Sequence, residues 1–144
     1  GGNLLGSLFC AFFFFLHSES LGPEGETALI NLVEHKAGGT SGGFMVRAIA
    51  CNVLVCLAVW MAYSARDTTG KIVSMWLPIF TFVYLGFEHS VADMSLIPAG
   101  MLFGADVSFS RLLERLVLAT LGNAFGGVLF VGGIYAAIYR RDLH

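Results

Sequence analysis

Glu88, His89, Ser90 and Asp93 stand together inside an otherwise apolar stretch, Trp76 to Pro98, which reads WLPIFTFVYLGFEHSVADMSLIP. A histidine can hold or give a proton near neutral pH. If a helix resumes by His89, Asp93 lies four residues further on the same face, with Cβ atoms roughly 5–6 Å apart. Asp93 could then bond the imidazole directly or through water, and the pair would titrate as a unit. The bland alternative for Asp93 is a packing hydrogen bond to another helix. Glu88 adjoins His89 and therefore points to a different face. It reads as a structural residue bonding backbone amides at a helix start, where free N–H groups welcome an anion. A metal centre built on His89, Asp93 and a loop histidine is disfavoured. The spacing H-E-x-x-H is absent, and Glu88-His89 is not a metal pair on one face. No catalytic residue, metal ligand or cofactor is expected.

The surroundings of this cluster are apolar on both sides. Met75 to Phe87 has no charge, Gly86 sits just before the polar residues, and the apolar character returns after Asp93. A membrane helix needs about 20 apolar residues to cross a hydrocarbon layer roughly 30 Å thick. Each half on either side of Gly86 and His89 is too short to cross alone. The stretch from about residue 73 to 103 therefore reads as one broken transmembrane helix, interrupted between about Phe82 and Glu88 near the membrane midplane. Irregular backbone at that depth survives only inside protein or beside a water cavity. Ionisable groups there mark a functional pathway by default.

Composition agrees with a membrane setting. Of 144 residues, 56% are hydrophobic and 12% charged, against about 25% charged in soluble domains, and the mean hydropathy is +0.77. A soluble domain is excluded on those grounds. The formal net charge of −2 offers no basic excess for nucleic acid. Cys10, Cys51 and Cys56 lie in apolar runs, and an odd count there argues against a disulfide framework. They read as small packing residues. The chain starts at Gly1 with no charged region before the first apolar run, which is not a signal peptide. It reads as a fragment with an N-terminal part missing.

Four spans follow from the pattern: residues 1–17, 44–63, the broken helix at 73–103, and 116–139. Between the first two, Leu21 to Gly43 is polar and Gly-rich. Within it Glu24 to Lys36 carries Ala28, Leu29, Leu32 and Val33 at helical spacing, as in a short interfacial helix. Arg47 and Trp60 lie near the ends of the second span, where snorkelling and aromatic anchoring are expected. Ser64 to Lys71 reads as a short polar turn. Gly104 to Ser110 reads as another, with Ser108 or Ser110 as N-cap, followed by an interfacial turn of helix at Arg111 to Glu114. Gly122, Gly126, Gly127, Gly132 and Gly133 line the last span, and small residues there permit close helix packing. Basic residues balance on the two sides, so orientation is undecided by charge; Arg140-Arg141 leans towards a cytoplasmic C-terminus. Gly2-Asn3-Leu4-Leu5-Gly6 and Gly122-Asn123-Ala124-Phe125-Gly126 share the pattern G-N-x-x-G and would start from opposite membrane faces. That is the mark of an inverted repeat with a site near the midplane in discontinuous helices.

At this point the residues resemble a family. Gly86-Phe87-Glu88-His89-Ser90-Val91-Ala92 with Met94 and Pro98 is similar to the G-F-E-H-S-[VI]-A-N-M…P signature of the formate/nitrite transporter family. Cys51-Asn52-Val53-Leu54-Val55-Cys56-Leu57-Ala58-Val59-Trp60 resembles its C-N-x-L-V-x-L-A-x-W motif, and the G-N-x-x-G pairs resemble its third and sixth helices. The resemblance implies an all-α, aquaporin-like inverted-repeat bundle of which this chain holds the third to sixth spans and lacks the first two. It implies homopentamers in the inner (plasma) membrane lipid bilayer, one pore per protomer, carrying small monovalent anions such as formate, nitrite or hydrosulfide with protons. It implies that His89 is the central pore histidine, that Asn52 faces it, that Phe82 and Val55 line a hydrophobic constriction, and that Lys36 is the basic residue near the extracytoplasmic mouth. Gly86, Glu88 and Asp93 support the break. The family usually has Asn where this chain has Asp93. The pore threonine of the family's other broken helix has no counterpart here. The competing function is a non-transporting structural subunit of the membrane.

A bare anion in hydrocarbon is very costly, so a selective pore must replace or remove its charge. Lys36 would concentrate anions, Phe82 would exclude hydrated ions, and His89 would lend a proton so that a neutral weak acid passes. Asn52, donor and acceptor at once, would hold the substrate or His89. Without the resemblance, Lys36 would be an ordinary solvated loop lysine and Phe82 one of 13 phenylalanines packed in a core or against lipid.

Overall fold

The computed structural model describes residues 1–17 and 21–140, and among them it is helical with no strand. The elements are α1 (Gly2–Leu16), α2 (Gly22–Gly38), α3 (Ser41–Ser64), α4 (Thr68–Tyr84), α5 (Ser90–Leu102) and α6 (Phe109–Phe125), then a π-helical segment (Gly126–Gly132) and α7 (Gly133–Tyr139). Arg141 to His144, the rest of the basic tail, lie outside the described residues.

Two helical stretches are long and apolar enough to cross a membrane, Ser41–Ser64 and the continuous run Phe109–Tyr139. The interruption expected in the central apolar stretch is present. α4 stops at Tyr84 and α5 starts at Ser90, with Phe87, Glu88 and His89 in irregular backbone between them. Gly86 explains the stop. Its φ of 64° lies in the left-handed region that only glycine adopts without strain. Phe87 N–H reaches back to Phe82 O at 2.9 Å and Gly86 N–H to Val83 O at 3.1 Å. These are the two bonds of a Schellman cap, which satisfies the last carbonyls of the helix. The same device ends α5: Gly104 has φ 104°, with Ala105 N–H on Gly100 O at 2.8 Å and Gly104 N–H on Met101 O at 3.2 Å.

Three expectations change. The polar turn at Ser64 to Lys71 is shorter, because Asp67 accepts from Gly70 N–H and caps a helix that begins at Thr68. Arg111 to Glu114 is not a separate interfacial turn but the first part of α6, whose start Ser108 caps by accepting from Arg111 N–H at 3.3 Å. The solvated loop lysine that Lys36 would be without the resemblance is not found: it sits in α2, where a helix was expected, with 8% of its surface exposed.

The chain divides into two units. One comprises Gly1–Phe44 with Ser90–Leu118, the other Met45–His89 with Ala119–His144. In the first, α5 packs on α1 and α2. Val33, Ala37 and Ile97 are buried there with Ala105, Val107 and Leu112. Gly100 makes this approach possible, since a Cβ on it would lie 2.5 Å from Val33 Cγ2. Arg115, fully buried, donates to the carbonyls of Ala37 and Gly39 and stands 4.6 Å over the Phe44 ring. Arg111 donates to the same two carbonyls. Two carbonyls at the C-terminal end of α2 thus accept from two cations, which the negative end of a helix favours.

In the second unit glycines of α6 and of the π-helical segment meet α3. A Cβ on Gly122 would lie 2.6 Å from Ala48 Cβ, one on Gly126 would fall on the Ile49 carbonyl oxygen, and one on Gly127 would lie 2.6 Å from Asn52 Nδ2. This is backbone-to-backbone packing of the kind small residues allow between membrane helices. Gly132 and Gly133 take no part in it; the nearest atoms are carbonyls of their own helical stretch. The outward face of α4 carries a column of stacked aromatics, Trp76, Phe80 and Tyr84, with ring centroids 5.1 and 5.8 Å apart. Apolar side chains exposed on this scale are unusual on soluble monomers.

Candidate functional site

His89 is the last residue of the irregular segment and is half-buried. Its ring stacks on Phe82, centroids 5.7 Å apart at 19°. The cap explains the pairing. Phe82 supplies the carbonyl that Phe87 N–H closes on, so the chain folds back over the last turn of α4 and brings residue 89 to residue 82. The aromatic and the histidine singled out in the sequence are therefore neighbours.

The segment is held from α3 and α6. Glu88 is 1% exposed, and its carboxylate accepts from Arg47 Nε of α3 at 3.2 Å. This partner was not expected: the sequence reading gave Glu88 to backbone amides and Arg47 to the membrane surface. The Glu88 backbone carbonyl accepts from Asn123 Nδ2 at 2.9 Å, and the same amide nitrogen donates to Ala48 O of α3 at 2.8 Å. Asn123 also accepts: Asn52 Nδ2 donates to its backbone carbonyl at 2.6 Å. Asn52 and Val55 are both half-buried on α3. Asn52 is committed by this bond to α6, with Gly127 leaving room for its amide. The π segment begins three residues beyond Asn123, and such bulges frequently occur at functional sites.

Lys36 and Asp93 form a second pair within the other unit. Lys36 Nζ lies 3.2 Å from Asp93 Oδ1, with side chains 10% and 0% exposed. Lys36 occupies the last turn of α2 and Asp93 the first turn of α5, the helix ends that suit a cation and an anion respectively. Asp93 thus has a partner on another helix, and that partner is a cation. Ser7 Oγ donates to Val91 O at 3.3 Å and ties α1 to the same first turn of α5.

Asn123 and Arg47, which hold the residue before His89, were missed. Asn123 entered the sequence reading only as part of a glycine pattern. A polar amide inside an apolar membrane-type helix, and a cation inside another, are signals in themselves. No group of three or more metal-ligating side chains exists among the described residues.

The family described as Formate/nitrite transporter matches residues 1–137. The uncharacterized transporter YrhG of Bacillus subtilis strain 168 is 40% identical over 141 residues, covering 96% of this chain and 52% of its own length. The formate channel BtFdhC of Bacillus thuringiensis is 38% identical over 142 residues, covering 97% and 54%. The chain thus spans about half the length of the curated relatives it matches. Among solved structures, a pentameric formate channel with formate bound superimposes with a TM-score of 0.85 at 33% identity, covering 96% of this chain and 62% of that one.

Proposed function

Because this chain belongs to the formate/nitrite transporter family, whose aquaporin-like, all-α fold it shares, we propose that it forms part of a membrane channel for small monovalent anions, with His89 lending the proton. Formate, nitrite and hydrosulfide are the substrate class, and the assembly is a homopentamer in the inner (plasma) membrane. The stacking of His89 on Phe82 at the helix break is the observation that carries the reading. An apolar ring excludes hydrated ions from a narrow passage, and a titratable group beside it can turn the anion of a weak acid into a neutral molecule that crosses apolar surroundings at far lower cost.

Chain positions around the break fit that task. A proton donor must hold its place while its charge changes. The backbone at His89 is secured through Glu88 by both an ion pair and a carbonyl hydrogen bond. Asn52 lies on α3 close to the same anchoring residue, Asn123, and serves as a polar wall of the passage, with Val55 and Phe82 its apolar part.

Uptake of formate, nitrite and hydrosulfide into proteoliposomes, each at two pH values, tests this. The expected result is uptake of at least one of them that is faster at the lower external pH, with the pH dependence lost in His89→Asn. Uptake that keeps its pH dependence in His89→Asn removes the proton role from His89. No uptake of any of the three overturns the channel reading.

A further inference from the structure

We propose that Asp93 sets how strongly this chain draws anions, by cancelling the charge of Lys36. The inference rests on the channel reading, in which Lys36 stands at the mouth of the passage. Both side chains are buried and 3.2 Å apart. Lys36 sits at the C-terminal end of α2 and Asp93 at the N-terminal end of α5, the helix ends that attract a cation and an anion respectively. Arg111 and Arg115 satisfy the carbonyls of Ala37 and Gly39, so capping α2 does not require the Lys36 ammonium. That ammonium is turned instead to Asp93.

An amide at position 93 would accept the same bond from Lys36 in the same volume. Packing alone is therefore met by Asn, and what the carboxylate adds is a negative charge beside the cation. A lone ammonium attracts anions over a range set by screening. An ammonium with a carboxylate in contact presents a dipole, whose field falls off much faster. The chain accordingly draws its substrate weakly before protonation, and selection rests on the proton step rather than on attraction at the mouth.

The experiment compares formate uptake by the unmodified protein, Asp93→Asn, Lys36→Met, and the double variant, in proteoliposomes at low and high ionic strength. Assembly and membrane abundance are matched by gel filtration and immunoblot. Asp93→Asn is expected to lower the apparent KM about fivefold at low salt, the factor for a unit charge acting across about 4 Å of water, and the gain shrinks at high salt. Lys36→Met is expected to raise KM, because it removes the positive charge and keeps the negative one. The double variant restores a KM near that of the unmodified protein, since both charges are gone together. A merely structural pair gives losses in both single variants and no recovery in the double; that outcome, or a KM and salt dependence unchanged by Asp93→Asn, overturns the proposal. If the unmodified protein takes up none of formate, nitrite or hydrosulfide, the channel reading falls, and this proposal with it.

Discussion

The side-chain amide of Asn123 donates at 2.9 Å to the backbone carbonyl of Glu88, and that carbonyl belongs to the peptide whose nitrogen is His89's own. A residue in the last turn of α6 therefore fixes the backbone one bond away from the histidine. Its second bond, to Ala48 O, ties the same nitrogen to α3. Asn123→Ala removes both donors at once, and a lost hydrogen bond to a buried group typically costs about 1–3 kcal/mol. The expected outcome is a clear drop in melting temperature in detergent, with residual formate uptake that has lost its sharp pH dependence. A melting temperature within error of the unmodified protein would mean that the break is held elsewhere.

Arg47 and Glu88 differ in what their loss leaves behind. Glu88 is 1% exposed while Arg47 keeps about a third of its side chain open. Removing the cation takes an ion-pair partner from a buried carboxylate, and breaking a buried pair from one side typically costs about 3–5 kcal/mol. Glu88→Gln removes the charge but keeps an oxygen that can accept from Arg47 Nε, and the half-exposed guanidinium can turn to water. Thermal melting should therefore rank Arg47→Ala well below Glu88→Gln. Equal losses in the two would count against the ion pair as the main contact of Glu88.

The glycines of the last helical run separate into two sets. Gly126 lies against the Ile49 backbone, where a methyl group meets a carbonyl oxygen that cannot swing aside; Gly132 has only the Gly127 carbonyl, 3.5 Å from where its Cβ would stand. Overpacking of a tight interface costs typically about 1–3 kcal/mol. Gly126→Ala should lower the yield of folded protein and its melting temperature, and Gly132→Ala should leave both close to those of the unmodified chain. Equal tolerance of both changes would show that α3 and α6 separate easily.

How much of this could be read in the sequence depends on the range of the interaction. The break was legible because its cause is local. Gly86 supplies the positive φ, and Phe82, Val83 and Phe87 close the cap within six residues. The close packing of Gly122, Gly126 and Gly127 was legible too, since small residues in an apolar run have few other uses. The start of α4 was readable and overlooked, as Asp67 three residues before Gly70 is a capping arrangement. The partners were not legible. Lys36 finds Asp93 across 57 positions and Asn52 finds Asn123 across 71, and no period or spacing encodes which buried polar groups meet. The sequence showed that such groups needed partners, and only the fold supplies them.

Arg115 and Arg111 make the last comparison. Both donate to the carbonyls of Ala37 and Gly39 at the end of α2, yet their settings differ. Arg115 is fully buried and lies over the Phe44 ring. The Arg111 side chain is 34% exposed and also bridges to Glu114 at 2.8 Å, an exposed i,i+3 pair of the kind that contributes little. Removing Arg111 leaves Arg115 on both carbonyls and opens a site that water can reach. Removing Arg115 takes away the buried donor, the ring contact and the volume of a long side chain together, so packing is lost as well as charge. Arg115→Ala should therefore destabilise the protein by several times as much as Arg111→Ala, and Arg115→Lys should recover little, because one ammonium cannot reproduce the guanidinium fork across two carbonyls. Melting curves of the three variants in one detergent decide it: a full recovery by Arg115→Lys would show that a positive charge alone, and not the fork, holds the end of α2.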